Sequence, residues 1–360
     1  MLHVVLLLGC AVVIYLACEW FVNAVEWLGV RLRVGPLAVG TVLAAAGTAL
    51  PESVVTLVAV LSGTRSGDDV GVGAALGGPL VVGTIAYAVL GAMLLMTGRR
   101  GAVRPEPARL PVGGDPGPGP AVEEAPGATG GVAGGLEQVD HRRLGRDQTW
   151  FLVIFVVKVG LGLVAFTVKP WLGLLFFAAY ALYFWREVGG GGEAASGDLL
   201  EPLKLQPRRP APSLVAVVGQ TLVTLALIFG ASQLFVAQLE WAGPVLGLPA
   251  VVVALLLSPI ATELPEVMNA IIWVRQGKTE LAAANLSGAM MIQATVPSGI
   301  GLLFTPWRFD TPLLLAGGAT LVSVLYLSHL FRTARATPAR LLPAALCYVG
   351  FAVALAVDLA

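Results

Sequence analysis

Two short stretches of an otherwise apolar chain carry hydroxyl and carboxylate oxygens at helical spacing: GTALPE at residues 47–52 and ATELPE at residues 261–266. Thr48 and Glu52 lie four residues apart, as do Thr262 and Glu266, and residues so spaced share one face of a helix. Each pair encloses a proline. Proline has no N–H, and its ring crowds the carbonyl four residues back, so Pro51 frees the carbonyl of Gly47 and Pro265 frees that of Ala261. Both helices are therefore expected to break at their proline. The freed carbonyls, the two hydroxyls and the two carboxylates are hard oxygen ligands of the kind that Ca²⁺, Na⁺ and Mg²⁺ take. A proline alone reads as an ordinary membrane-helix kink. An ionisable group inside an apolar span is expensive and marks an ion path, and here two such groups recur in equivalent places.

The elements that must position these residues follow from composition. The 360-residue chain is 57% hydrophobic and 12% charged. Apolar runs of spanning length fall at 2–28, 36–62, 71–97, 149–167, 169–186, 213–241, 246–274, 280–306, 311–331 and 339–359. Ten transmembrane helices make this an all-α polytopic membrane protein, with membrane lipid as its surroundings. LLLGC at residues 6–10 resembles a lipoprotein cleavage site, but MLHVV supplies no cationic region and the apolar run passes Cys10, so the stretch reads as the first span. The segment 98–148, rich in Gly, Pro and charge, reads as a disordered cytoplasmic loop, and 189–212 as a shorter cytoplasmic linker. Net charge is zero and no basic stripe is present, which argues against nucleic acid as a partner. Cys10, Cys18 and Cys347 sit in apolar runs without CxxC spacing, so they suggest neither a disulfide framework nor a metal cluster, and no cofactor is expected.

Lys and Arg set the orientation. With the N-terminus outside, eighteen of them fall in cytoplasmic segments, and Arg65, Lys169 and Arg308 fall outside. Both termini are thus expected outside, in a prokaryotic cytoplasmic membrane. FVNAVEWLG at 21–29 and FVAQLEWAG at 235–243 match at an offset of 214 residues, the offset that also superposes Thr48, Leu50, Pro51 and Glu52 on Thr262, Leu264, Pro265 and Glu266. Each copy holds five spans, helices 1–3 and 4–5 (1–97, 149–188) and helices 6–8 and 9–10 (213–306, 307–360). An odd number means that the copies enter the membrane from opposite sides, an inverted repeat with discontinuous helices and a site at the midplane.

VGPLAVGTVLAAAGTALPE (34–52) and GLPAVVVALLLSPIATELPE (247–266) resemble the two alpha repeats of the sodium/calcium exchanger family within the calcium/cation antiporter superfamily. The resemblance implies a cation antiporter that exchanges Ca²⁺ or a related cation for Na⁺ or H⁺ by alternating access. It matches Glu52 and Glu266 to the family's central cation-binding glutamates, and Thr48 and Thr262 to its backbone or hydroxyl ligands. Where the family has Ser after Thr, this chain has Ala49 and Glu263. Where each following helix carries G-S-N-x-x-[ND], the chain has ALGGPLVVGT and NLSGAMMIQA, which keep only Gln293 at the final position, with Asn285 and Ser287 upstream. The candidate cation ligands are Gly47, Thr48, Glu52, Ala261, Thr262, Glu263, Glu266, Asn285 and Gln293. Glu263, three residues from Glu266, adds a third carboxylate in a low-dielectric cavity; three such charges cannot all stay ionised, so a proton is expected to be held and released on cation binding. This would meet the requirement of the alternative, cation/proton exchange without sodium. A channel or an intramembrane hydrolase would also use glutamates, but channels usually gain them by oligomer symmetry, and no His or nucleophile is placed beside these motifs.

Glu19, Asn23 and Glu26 form a stripe on the first helix, and Glu240 is the repeat mate of Glu26. Glu26 and Glu240 read as interfacial or packing groups as readily as transport groups, and Glu19 reads equally as part of an ion path. Lys158 has no evident partner in the fourth span. His3, His141 and His329 show no metal spacing.

Overall fold

A computed structural model describes residues 2–35, 38–61, 65–101, 136, 139–189, 200–245, 256 and 258–358. With no water to serve the backbone inside a bilayer, a spanning chain must satisfy its own N–H and C=O groups, and helices do this locally. Among the described residues the chain accordingly forms ten main helices, besides the short turns Lys169–Leu172 and Pro338–Leu341. These are α1 (Leu2–Leu32), α2 (Ala45–Leu61), α3a (Arg65–Val81) continued by α3b (Tyr87–Gly101), α4 (His141–Leu163) and α5 (Gly173–Gly189). The second half has α6 (Leu214–Val245), α7a (Ser258–Thr262) followed by α7b (Leu264–Arg275), α8 (Thr279–Phe304), α9 (Thr311–Arg332) and α10 (Ala344–Asp358). Most of the predicted loop, 102–135, and the linker stretch 190–199 lie outside the described residues. Helix α4 begins at His141, ahead of its apolar run, because the Asp140 side chain accepts from the N–H groups of Arg142 and Arg143 at 3.0 Å each and so caps the first turn.

Helix α8 is the axis of the fold. It is buried along nearly its whole length and packs on α2, α3a, α4, α5 and α7b. Its close approach to the segment that leads into α2 depends on a missing side chain: a Cβ on Gly288 would lie 2.1 Å from the Thr41 carbonyl oxygen. Small residues allow this packing between membrane helices, where no hydrophobic effect drives association. The long helices α1 and α6 pair along their lengths at the periphery. Leu8, Val12 and Leu16 of α1, with Val215, Leu222 and Val223 of α6, stay exposed, as lipid-facing apolar groups do.

Among the described residues three irregularities interrupt these helices, and the two in the motif regions do not fall at Pro51 and Pro265 themselves. In the second half the helix breaks at Glu263, between α7a and α7b, and Pro265 sits in the first turn of α7b, where its missing N–H has no helical partner to lose. In the first half the expected break at Pro51 does not occur: α2 runs from Ala45 to Leu61 without interruption. The irregularity lies earlier, in a wide π turn over Val39–Ala44 that leads into α2. One lost hydrogen bond does not break a helix held by its neighbours, and local π adjustment is a usual way of absorbing the strain. A second π turn, Val82–Ala86, separates α3a from α3b after Pro79.

Pro79 also explains Lys158. It frees the carbonyl of Ala75, four residues back, and the Lys158 ammonium donates to that carbonyl oxygen at 2.6 Å from α4. Lys158 is wholly buried and lies 4.9 Å from the Phe155 ring centre. Lys169, at the start of a short 3₁₀ turn (Lys169–Leu172) between α4 and α5, plays a related part, donating to the carbonyls of Val164, Pro306 and Trp307.

Candidate functional site

The break between α7a and α7b brings the second motif into the interior. Glu263 occupies the position before α7b, is fully buried, and accepts a hydrogen bond from Gln293 Nε2 of α8 at 2.5 Å. Glu266 lies in the first turn of α7b and is 1% exposed. There the unpaired N–H groups and the helix dipole favour a carboxylate. Asn285 of α8 donates to the backbone carbonyl of Glu266 at 3.4 Å, so it reaches the main chain of the motif. Sequence spacing places Glu263 and Glu266 together; only the packing of α8 adds Gln293 and Asn285.

The first half closes over this group through glycine. A Cβ on Gly78 of α3a would lie 2.9 Å from Glu263 Oε1 and 3.0 Å from Gln293 Cδ, and one on Gly77 would lie 2.7 Å from Pro259. Gly78 and Gly288 correspond when ALGGPLVVGT is laid on NLSGAMMIQA, so each half presents a glycine to the irregular segment of the other. Cys18 of α1 covers a further side, its sulfur 3.8 Å from the carbonyl oxygen of Pro265.

The threonines turn to their own helices. Thr48 is buried and donates to the carbonyl of Ala44 at 3.1 Å, and Thr262 donates to that of Pro259 at 3.2 Å. Such back-bonding satisfies the hydroxyl hydrogen and leaves oxygen lone pairs available. Gly47 lies in α2 against the Phe21 ring, which a Cβ would approach to 2.7 Å. Ala261 lies in α7a, just ahead of the break. The side chains of Glu52 and Ala261 lie outside the described residues; position 52 lies in α2.

The remaining polar residues are sorted by their partners. Glu26 accepts from Trp273 Nε1 at 2.8 Å and from Lys278 Nζ at 2.6 and 2.5 Å, tying α1 to the turn between α7b and α8. Glu19 pairs with Lys204 at 2.8 Å, and Asn23 bonds the backbone of Glu201, Pro202 and Lys204. Glu19 and Asn23 thus clamp the segment that precedes α6, and the ion-path reading of Glu19 gives way to a surface ion pair. The Glu240 side chain lies outside the described residues. His3 bonds Gln238 at 2.7 Å and stacks on Trp241. Buried polar contacts of α4 that the sequence reading missed lie nearby: Asp147 Oδ2 accepts from Ser287 of α8 at 3.3 Å, and Gln148 donates to the Tyr87 hydroxyl of α3b at 2.7 Å. Asp147 and Gln148 stand just before an apolar run, which made them look like loop.

Comparison with known proteins places this geometry. The family model described as sodium/calcium exchanger protein matches residues 2–114 and 216–359, the two regions that hold the motifs. The inner membrane protein YrbG of Escherichia coli (strain K12) is 27% identical over 312 residues, covering 85% of this chain and 80% of YrbG. The putative antiporter CaxA of Alkalimonas amylolytica is 28% identical over 139 residues, and the match spans 43% of CaxA, less than half its length. Among solved structures, the sodium-calcium exchanger NCX_Mj soaked with 10 mM Na⁺ and zero Ca²⁺ superposes with a TM-score of 0.69 at 17% identity, covering 99% of this chain and 98% of that one. That likeness establishes the fold, two inverted five-helix halves. The matched family model, which takes in both halves and both LPE motifs, establishes the lineage: this chain is a membrane protein of the sodium/calcium exchanger family.

Proposed function

We propose that the chain is a cation antiporter that exchanges Ca²⁺ or a related cation for H⁺ or Na⁺ by alternating access between its two halves. The observation that carries this reading is the carboxylate of Glu263, buried at a helix break, bonded to Gln293 and backed by Gly78 of the opposite half. In this reading Glu52, Glu263 and Glu266 supply negative charge. Gln293, Asn285, Thr48 and Thr262 supply neutral oxygens, and the carbonyls of Gly47 and Ala261 complete the set. Hard cations require such oxygens in place of their water shell. The termini lie outside, following the Lys and Arg distribution.

Proton coupling is favoured over sodium coupling by the position of Glu263. Buried beside Gln293, Glu263 is a second described carboxylate in the interior, three residues from Glu266, and that charge is most easily tolerated when a proton is exchanged for the cation. Calcium uptake into sealed vesicles tests the proposal. Uptake should follow an imposed proton gradient, and Glu266→Gln or Glu52→Gln should abolish it while the protein stays folded. Glu263→Ser should flatten its pH dependence and leave binding intact. Flux without any counter-ion gradient would mean a channel, and uptake driven by a sodium gradient alone with an unchanged pH profile in Glu263→Ser would refute proton coupling.

A further inference from the structure

Asn269 lies on α7b, one turn beyond Glu266, and is fully buried. Neither its side-chain oxygen nor its nitrogen has a hydrogen-bond partner among the described residues. Buried amides of this kind are rare, because desolvation without a new partner is unfavourable, and each one calls for an explanation. Asn285 poses the same question from the facing helix: its nitrogen reaches the Glu266 backbone, but its Oδ1 has no partner.

The two amides share one level. α7b and α8 are antiparallel neighbours joined by residues 276–278, and the left-handed Gly277 (φ 75°) makes the turn between them. Asn269 stands six residues before the end of α7b at Arg275, and Asn285 six residues after the start of α8 at Thr279. A second observation agrees. The Glu266 carbonyl that Asn285 approaches points along α7b toward positions 269 and 270, and helical side chains lean back toward the N-terminus, which brings Asn269 toward the same carbonyl.

From this we infer that Asn269 and Asn285 form a neutral cation station between Glu266 and the membrane face at Arg275, where the cation exchanges part of its water shell before meeting the carboxylates. Amide oxygens are hard ligands without charge, suited to a place that a cation passes through, since conduction needs each stop to be weak enough to leave. The station rests on the proposed transport reading and adds Asn269, which the motifs do not contain.

The experiment measures half-saturating Ca²⁺ at each face in sealed vesicles of both orientations, together with the unfolding of purified protein with and without Ca²⁺. Asn269→Leu should raise half-saturation about tenfold at the Arg275 face and leave the other face within about twofold. Without Ca²⁺ this variant should be at least as stable as the parent, because an apolar side chain replaces an unsatisfied amide. Asn269→Asp, which keeps the oxygen and adds charge, should lower half-saturation at the same face and keeps the test open if the leucine variant fails to fold. Equal effects at both faces, or none in either variant, would overturn the station. Glu266→Gln separates the two proposals: if it still responds to Ca²⁺ the ligand reading itself fails, whereas if it is silent while Asn269→Leu behaves as the parent, only the station fails.

Discussion

Replacing Lys158 by Met removes the ammonium that serves the Ala75 carbonyl at 2.6 Å, in a place with no access to water. Pro79 prevents the helix from restoring the bond itself, so the carbonyl is left unsatisfied. A hydrogen bond to a charged group contributes about 1.5–3 kcal/mol, and an orphaned buried acceptor costs about 1–3 kcal/mol. Lys158→Met should therefore destabilise the protein by about 2 kcal/mol. Pro79→Ala acts on the other side of the same contact: it returns an N–H to the helix, which takes the carbonyl and removes this acceptor from the ammonium, at a cost of about 2 kcal/mol. Combined, the two changes yield an uninterrupted helix facing an apolar side chain. The double variant should recover at least about 2 kcal/mol relative to the sum of the single effects. Reversible unfolding in mixed micelles across the four proteins measures this interaction. Because the cycle subtracts whatever else Lys158 touches, only its coupling to Pro79 remains. Single effects that add to within about 0.5 kcal/mol would refute the assignment of Lys158 to the proline-freed carbonyl.

Two further outcomes follow from the packing. Alanine at Gly288 would drive a methyl into the Thr41 backbone, whose nearest atoms lie at 2.1 and 2.6 Å, whereas alanine at Gly78 meets only the far ends of Glu263 and Gln293. Gly288→Ala should abolish the yield of folded protein, Gly78→Ala should fold with altered cation affinity, and equal behaviour of the two in size exclusion and Ca²⁺ titration would contradict the geometry. Glu26→Ala strands the Trp273 N–H and the Lys278 ammonium; because Lys278 is partly exposed, the loss should be about 2 kcal/mol in the same unfolding assay. A change below about 0.5 kcal/mol would show that Glu26 does not anchor the turn.

Spacing within a helix was legible because it follows from the helix itself. The closeness of Glu263 and Glu266 along the chain, the duplication and the ten spans all follow from offsets and apolar run lengths. Contacts between helices were not legible. Gln293 and Glu263 are separated by 30 residues, and Lys158 and Ala75 by 83, so their meeting depends on how α8 and α4 pack. Pro51 shows why a local rule fails: a proline removes one bond, but whether the helix parts depends on the neighbours that hold the turns on either side. The second helix does part, at Glu263 rather than at Pro265, because a proline is well tolerated in a first helical turn.

The burial of α8 bears on how the protein enters the membrane during synthesis. Among the six described helices that are long and apolar enough to cross a membrane it is the least apolar, and it is also the most enclosed. Asn285, Ser287, Gln293, Thr295 and Ser298 all lie on it, and polar groups at the bilayer centre oppose insertion of a lone helix. Its partners α2, α3a, α4, α5 and α7b all precede it in the chain, so the groove that receives it can exist by the time it leaves the ribosome. Insertion of α8 is then a docking event, and loss of an early helix should appear first as a failure of this late one to integrate.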